Sequence, residues 1–188
     1  MSVARSDLRR RFEDIYMAHY ADLLGYVRRR TESPEDAADA LAETFATAWR
    51  RIADVPPGPS ARLWLYGVAR RVLANGRRAA TRRSALVERL GAELGQWGEH
   101  DWTPDREDLD AVRAAFRRLG PDDREVLALV SWEGLGSAEI ATVLGCSRGA
   151  ARLRLHRARK RLAGELSSAG VDVARVCARM PALAGGEA

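Results

Sequence analysis

Apolar residues recur along this chain at steps of three and four, and nowhere in the two-residue rhythm of a half-buried strand. Leu8, Phe12, Ile15, Tyr16, His19, Leu23 and Val27 share one stripe, which predicts an amphipathic helix over 7–30. The stretch TESPED breaks it. Ser33 suits an N-cap, Pro34 the first helical position, and Glu35 and Asp36 the first turn, so a second helix begins there and turns Leu41, Phe45, Ala48, Trp49 and Ile52 inward. Three prolines and a glycine in DVPPGPS end it in a rigid loop. A third helix, over 60–83, faces Leu65, Val68, Val72 and Leu73 to the core.

Periodicity then fades. The stretch GAELGQWGEHDWTPD has glycines, a proline and no apolar stripe, and reads as a linker. Beyond it Leu109, Val112, Phe116 and Leu119 share a face, and GPDD opens a helix that runs through Glu125, Val126, Leu127 and Val130 to Trp132. A short helix, SAEIATVL, is followed by the turn GCS and a long basic helix, RGAARLRLHRARKRL. Short helix, glycine turn and long helix together form a helix-turn-helix pattern. In the last helix Ser147 is placed to cap, Ala151, Leu155, Ala158 and Leu162 face the core, and Arg148, Arg152, His156 and Arg159 face away from it. The expected fold is all-α: a helical domain over 7–84, an acidic linker over 85–107, a helix-turn-helix domain over 108–166 and a tail over 167–188. Val173, Val176, Cys177 and Met180 give that tail a near-helical spacing, and it reads as a frayed terminus.

Charge changes this picture through its placement. The chain has 188 residues, a formal charge of +5 and a pI near 9.8, which favours a polyanionic partner. Between Val55 and Val87 there is no acid, whereas Arg62, Arg70, Arg71, Arg77, Arg78, Arg82 and Arg83 are present. From Leu86 to Asp110 the sign inverts, with eight acids against Arg89 and Arg106. The last helix is again free of acid from Cys146 to Leu162 and holds Arg148, Arg152, Arg154, Arg157, Arg159, Lys160 and Arg161. A base-reading role and a merely solvated basic face both fit that helix taken alone. In the first basic block Trp64 and Tyr66 stand among arginines, a mixture suited to stacking on unpaired bases, although aromatics at helical spacing more often pack in a core.

Several classes of chemistry find no support in the sequence. Cys146 and Cys177 are too few for a disulfide framework, and His19, His100 and His156 lie too far apart for a metal motif. No phosphate-binding glycine loop or nucleophile motif is present, and no stretch approaches the roughly twenty apolar residues of a membrane span. The expectation is a cytoplasmic protein with no catalytic residue, metal or cofactor.

Three segments in order resemble extracytoplasmic-function (ECF) sigma factors of the sigma-70 family. PEDAADALAETFATAWRR is similar to the family's AEDLVQETFLRAW, with Asp39, Glu43, Thr44, Phe45 and Trp49 keeping the pattern. RLWLYGVARRVLANGRR resembles W-L-x-x-I-A-R-N-x-x-x-D-x-x-R, with Arg71 and Asn75 in place of the Asn and Asp. The segment from Leu119 to Leu162 resembles the promoter-reading module that ends G-T-V-K-S-R-L-x-R-A-R, here with Ala150, Ala151, Arg152 and Leu153 for Thr-Val-Lys-Ser. The resemblance implies a specificity subunit of RNA polymerase. Asp39, Glu43, Phe45, Trp49 and Arg50 would dock the clamp coiled coil of the largest subunit, and the second domain would meet the flap of the second-largest. Arg62, Trp64, Tyr66, Arg70, Arg71, Asn75, Arg77 and Arg78 would capture and melt the minus-ten element of promoter DNA. Ser147, Arg148, Arg152, Arg154, His156, Arg157 and Arg159 would read the minus-thirty-five element. Anti-sigma proteins commonly inhibit the family, which makes one a candidate partner. Two other readings stand beside this one: a stand-alone helix-turn-helix regulator of duplex operators, and a small helical enzyme acting on nucleic acid, which lacks a carboxylate or metal constellation.

Overall fold

The computed structural model describes residues 2–87, 106–171 and 173, and among these every regular element is helical. The chain divides into two units, residues 1–100 and 101–188. In the first, α1 (Ser2–Arg28), α2 (Pro34–Arg50) and α3 (Ser60–Val87) pack on one another, with a single 3-10 turn, Ile52–Asp54, leading into the proline loop. In the second, α4 (Arg106–Arg118), α5 (Pro121–Ser131) and α6 (Ser137–Leu144) surround α7 (Arg148–Ser168). Most of the expected linker, 88–105, and the tail beyond 173 lie outside the described residues. Its two ends are helical, as α3 continues four residues past Arg83 and α4 starts at Arg106.

Ser33 caps α2 as its position predicts. Its Oγ accepts the Asp36 N–H at 3.0 Å and donates to the Asp36 carboxylate at 2.8 Å. Leu23, Val27, Leu41, Phe45, Ala48 and Leu65 form the core of the first unit, and full burial of each large aliphatic contributes about 1.5–3 kcal/mol. At its centre Tyr26 and Tyr66 stack with centroids 4.8 Å apart. The Arg30 guanidinium lies 3.6 Å over the Tyr26 ring and donates to the Tyr26 carbonyl at 3.0 Å. Its ring and carbonyl partners offset part of the cost of burying this cation.

The stripe expected on α1 holds only in part. Ile15, Leu23 and Val27 are buried, but Leu8 and Tyr16 are exposed, and so are Met17 and Tyr20 beside them. For Leu8 the reason is length: α2 has 17 residues against 27 in α1, and its last turn already lies opposite Phe12, where Trp49 meets that ring at 5.2 Å; Tyr16 and Tyr20 instead pack on Phe45 and keep part of each ring exposed. Nothing from α2 continues under Leu8.

The second unit is built around the turn between α6 and α7. Gly145 takes φ +63°, a conformation an L side chain rarely adopts, and the Cys146 N–H reaches back to the Ala141 carbonyl at 3.0 Å. Ser147 then accepts the Ala150 N–H at 3.2 Å and starts α7. Ala151 and Ala158 are fully buried, and these small residues let α7 lie close to its neighbours. Two ion pairs secure its second half: Arg161 to Asp123 at 2.6 Å, and Arg118 to Glu165 at 2.9 Å. Among the described residues no helix is long and apolar enough to cross a membrane.

Candidate nucleic-acid interface

Helix α7 buries Ala151, Leu155, Ala158, Leu162 and Leu166 on one ridge and leaves Arg148, Arg152, Arg154, His156, Arg157 and Lys160 exposed. The exposed face is rotated from the sequence expectation. At about 100° per residue, the line opposite the buried ridge runs through Gly149, Leu153 and Lys160, with His156 and Arg157 to either side. Arg148 and Arg152 lie on one flank and Arg154 on the other. Arg159 is half-buried on the flank of Arg148 and Arg152, and Arg161 is held by Asp123. Arg148 leans on α6, donating from Nε to the Ser137 Oγ at 3.3 Å. The result is a capped helix end, whose amide dipoles favour phosphate, between arginines able to pair with guanine O6 and N7.

The first basic block divides between core and surface. Tyr66 is 2% exposed and stacked on Tyr26, so its ring belongs to the core and is not a platform for bases; the correction follows from the tyrosine pairing that periodicity does not reveal. Arg62 lies 3.8 Å from Asp22 and beside His19, whose imidazole is held below its ordinary pKa by burial, opposed by Asp22 and reinforced by Arg62. Trp64 is half-buried with the Arg51 guanidinium 5.9 Å from its ring, and Arg51 is itself paired with Asp54 at 2.8 Å. Arg11 of α1 donates to the carbonyl of Val55 and fixes the start of the proline loop. Arg70 is half-buried, and Arg71 turns back to the Gly67 carbonyl at 2.9 Å. Asn75, Arg77 and Arg78 are exposed one to two turns further along.

On α2 the expected polymerase contacts separate in the same way. Asp39, Glu43, Trp49 and Arg50 are exposed. Phe45 is 5% exposed, edge-on to Phe12 and packed on Tyr16 at 4.6 Å, so it supports that face from beneath and does not itself present a contact. Glu43 accepts from Arg50 at 2.6 Å, and this bond, with the guanidinium charge, lowers its pKa. The missed residues are Arg11 and Asp123, whose partners lie 44 and 38 positions away and leave no local signal.

The same two units are found in known proteins. Residues 15–83 match the family described as Sigma-70 region 2, and residues 109–162 match Sigma-70, region 4. The RNA polymerase sigma factor CarQ of Myxococcus xanthus is 32% identical over 167 residues, covering 87% of this chain and 94% of that protein. The chain is an ECF sigma factor of the sigma-70 family. The ECF sigma factor SigL of Mycobacterium tuberculosis is also 32% identical, over 84% of this chain and 89% of that protein. CnrH, solved in complex with the cytosolic domain of CnrY, superposes on this sigma factor with a TM-score of 0.59 at 26% identity, covering 85% and 90% of the two chains. RpoE of Bartonella quintana, solved with the anti-sigma factor NepR, shares the fold with a TM-score of 0.65 at 23% identity over 83% and 96%. This sigma factor therefore binds core RNA polymerase and promoter DNA and directs transcription initiation. Its region-2 match spans the second half of α1, α2, the proline loop and most of α3; its region-4 match spans most of α4, α5 and the helix-turn-helix.

Proposed function

We propose that this sigma factor opens the minus-ten element with the proline loop and α3, and reads the minus-thirty-five element as duplex with α7. The observation that carries the reading is the presence, in each of two separate units, of one helix with an exposed cationic stretch: Arg77 and Arg78, beside the polar Asn75, on α3, and Arg148 to Lys160 on α7. Trp64 is the base-stacking residue, held at the end of the loop by Arg51. Asp39, Glu43, Trp49 and Arg50 form the clamp-docking face, and the second unit meets the flap. The acidic 85–107 segment lies along surfaces of the polymerase that are built for nucleic acid, where negative charge is complementary. The chemistry belongs to the polymerase, and the protein works in the cytoplasm with it. An anti-sigma protein is the proposed inhibitor, in line with the anti-sigma factor NepR solved with RpoE.

The test is to add the purified chain to sigma-free core polymerase with a genomic DNA library and to map transcription starts. Defined starts that share two upstream elements, and that vanish without the chain, are expected. Binding to duplex sites with no new starts would instead mark a stand-alone regulator.

A further inference from the structure

We propose that Leu153 is a specificity-determining residue that packs against the C5-methyl group of a thymine in the major groove of the upstream element; this rests on the assignment of α7 to duplex DNA. Leu155, Leu162 and Leu166 of the same helix are buried, whereas Leu153 is 48% exposed. An exposed leucine is unremarked on most surfaces. This one occupies the line of α7 opposite the buried ridge, the line that reaches deepest into a groove when the ridge is held by the scaffold.

One turn earlier on that line stands Gly149, with nothing within 4 Å of where its side chain would begin. The backbone can therefore approach the base pairs closely there, and Leu153 is the first side chain on the line with any reach. Arg152 and Arg154 flank it, both exposed, and no acid occurs from Cys146 to Gly164. A polyanion complements that surface, which sets the occupant as nucleic acid and not an apolar protein face.

Among base edges in the major groove, the thymine methyl is the group that an aliphatic side chain recognises, whereas the neighbouring arginines are matched to guanine. Leu153 thus adds readout of an A·T pair that arginine hydrogen bonding does not supply. Placed on the outermost line, it loses its remaining exposure only when the groove closes over it.

The test uses the holoenzyme on a promoter recovered from the genomic library. Each thymine of the upstream element is replaced singly, on either strand, by deoxyuridine, which removes the methyl and preserves pairing. Wild-type protein is expected to lose roughly threefold to tenfold in promoter affinity at one or two adjacent positions, the scale of one buried methyl. Leu153→Ala is expected to lose a similar factor on the thymine promoter and to be insensitive to uracil at those positions, while responding as wild type elsewhere. Because the site is exposed, its unfolding midpoint is expected to stay unchanged.

The proposal is overturned if Leu153→Ala keeps the wild-type sensitivity to uracil, if uracil matters at no position, or if the contacted element holds no thymine. Weakened binding to core polymerase without DNA would also overturn it and assign Leu153 to a protein contact. Arg152→Ala run in parallel separates the two levels. If it blunts discrimination in the upstream element while Leu153→Ala does not alter the uracil response, only the leucine assignment fails; if neither variant alters dependence on the element, the assignment of α7 fails with it.

Discussion

Helices α3 and α7 look alike in sequence, since each is rich in arginine and free of acid over a long run, yet the fold uses their cations differently. Helix α3 lies against both α1 and α2, burying Ala61, Leu65, Tyr66, Val68, Ala69 and Leu73. Its early arginines are engaged by the protein's own groups at the surface, Arg62 near Asp22 and the exposed Arg71 on the Gly67 carbonyl. Helix α7 buries a narrow ridge of alanines and leucines and leaves cations on both flanks, with Arg161 diverted to Asp123. A charge run thus gives the sign of the partner, but the width of the buried face decides which cations are free to meet it.

The largest effect that would break this contrast concerns Tyr66. As a core ring stacked on Tyr26, its replacement by Ala should destabilise the first unit by about 3–5 kcal/mol, the usual cost of truncating a buried aromatic. Tyr66→Phe should cost much less than Tyr66→Ala, because the stack survives and only the hydroxyl is removed. Urea unfolding of the full chain, followed by circular dichroism, reads both. A Tyr66→Ala protein of normal stability that failed to open promoters would return Tyr66 to the DNA-facing set and make α3 resemble α7 after all.

What was legible in the sequence follows from the range of the forces involved. Caps and turns are local, so Ser33, Pro34, Gly145 and Ser147 announced the starts of α2 and α7 and the turn before the latter. Ridge periodicity placed Ala151, Leu155, Ala158 and Leu162 correctly for the same reason. Burial of Tyr66 was not legible, because it depends on Tyr26 of another helix; periodicity did turn Phe45 inward, but it also turned Trp49 inward, and that ring is exposed at the end of α2. Nor was the exposure of Leu8, which depends on where α2 stops. The resemblance to sigma factors supplied the functional reading, but a motif match weighs a buried Phe45 and an exposed Trp49 equally.

A smaller effect sharpens the contrast from the binding side. Trp64→Ala should cost about 1–3 kcal/mol in capturing the melted element, with binding to the duplex upstream element retained. Arg152→Ala should show the reverse, costing about 1–3 kcal/mol on the matched upstream element and blunting base discrimination there. Permanganate reactivity of unpaired thymines reports the first, and competition between matched and altered duplexes reports the second. Equal loss in both assays from either variant would mean that the two units do not divide the promoter between them.

Ser147 offers a yet smaller test, because its Oγ already caps α7. Ser147→Ala should destabilise the second unit by about 1 kcal/mol. Ser147→Asp should preserve the cap and the stability, and should weaken promoter binding by placing negative charge at the helix end that faces phosphate. Thermal unfolding together with holoenzyme binding at two salt concentrations separates these outcomes. If Ser147→Asp bound as tightly as wild type, the first turn of α7 would lie away from the backbone and the groove contact would shift toward its middle.

The least energetic test lies on α2, where acids rather than arginines are exposed. Glu43 accepts from Arg50 and is held below its ordinary carboxyl pKa first by that hydrogen bond, then by the guanidinium charge, with Thr47 contributing least. A carboxyl depressed in the folded state stabilises the fold above its unfolded pKa, and that contribution disappears as pH falls through the lowered value. The window therefore lies at and below the ordinary glutamate range, and neutral pH is outside it. Carbon-detected titration of the Glu43 carboxyl should give a midpoint below that of an unpaired glutamate; Arg50→Ala should return it to the ordinary range, and Thr47→Ala should move it little. The pair is solvent-exposed, so Glu43→Gln should leave the unfolding midpoint at neutral pH unchanged within scatter. If Glu43 meets the clamp, the same substitution should still weaken binding to core polymerase, because a charge can matter to a partner while contributing almost nothing to its own fold. Unchanged affinity for core would remove Glu43 from the docking face and leave its pairing with Arg50 as a local feature of a solvated helix.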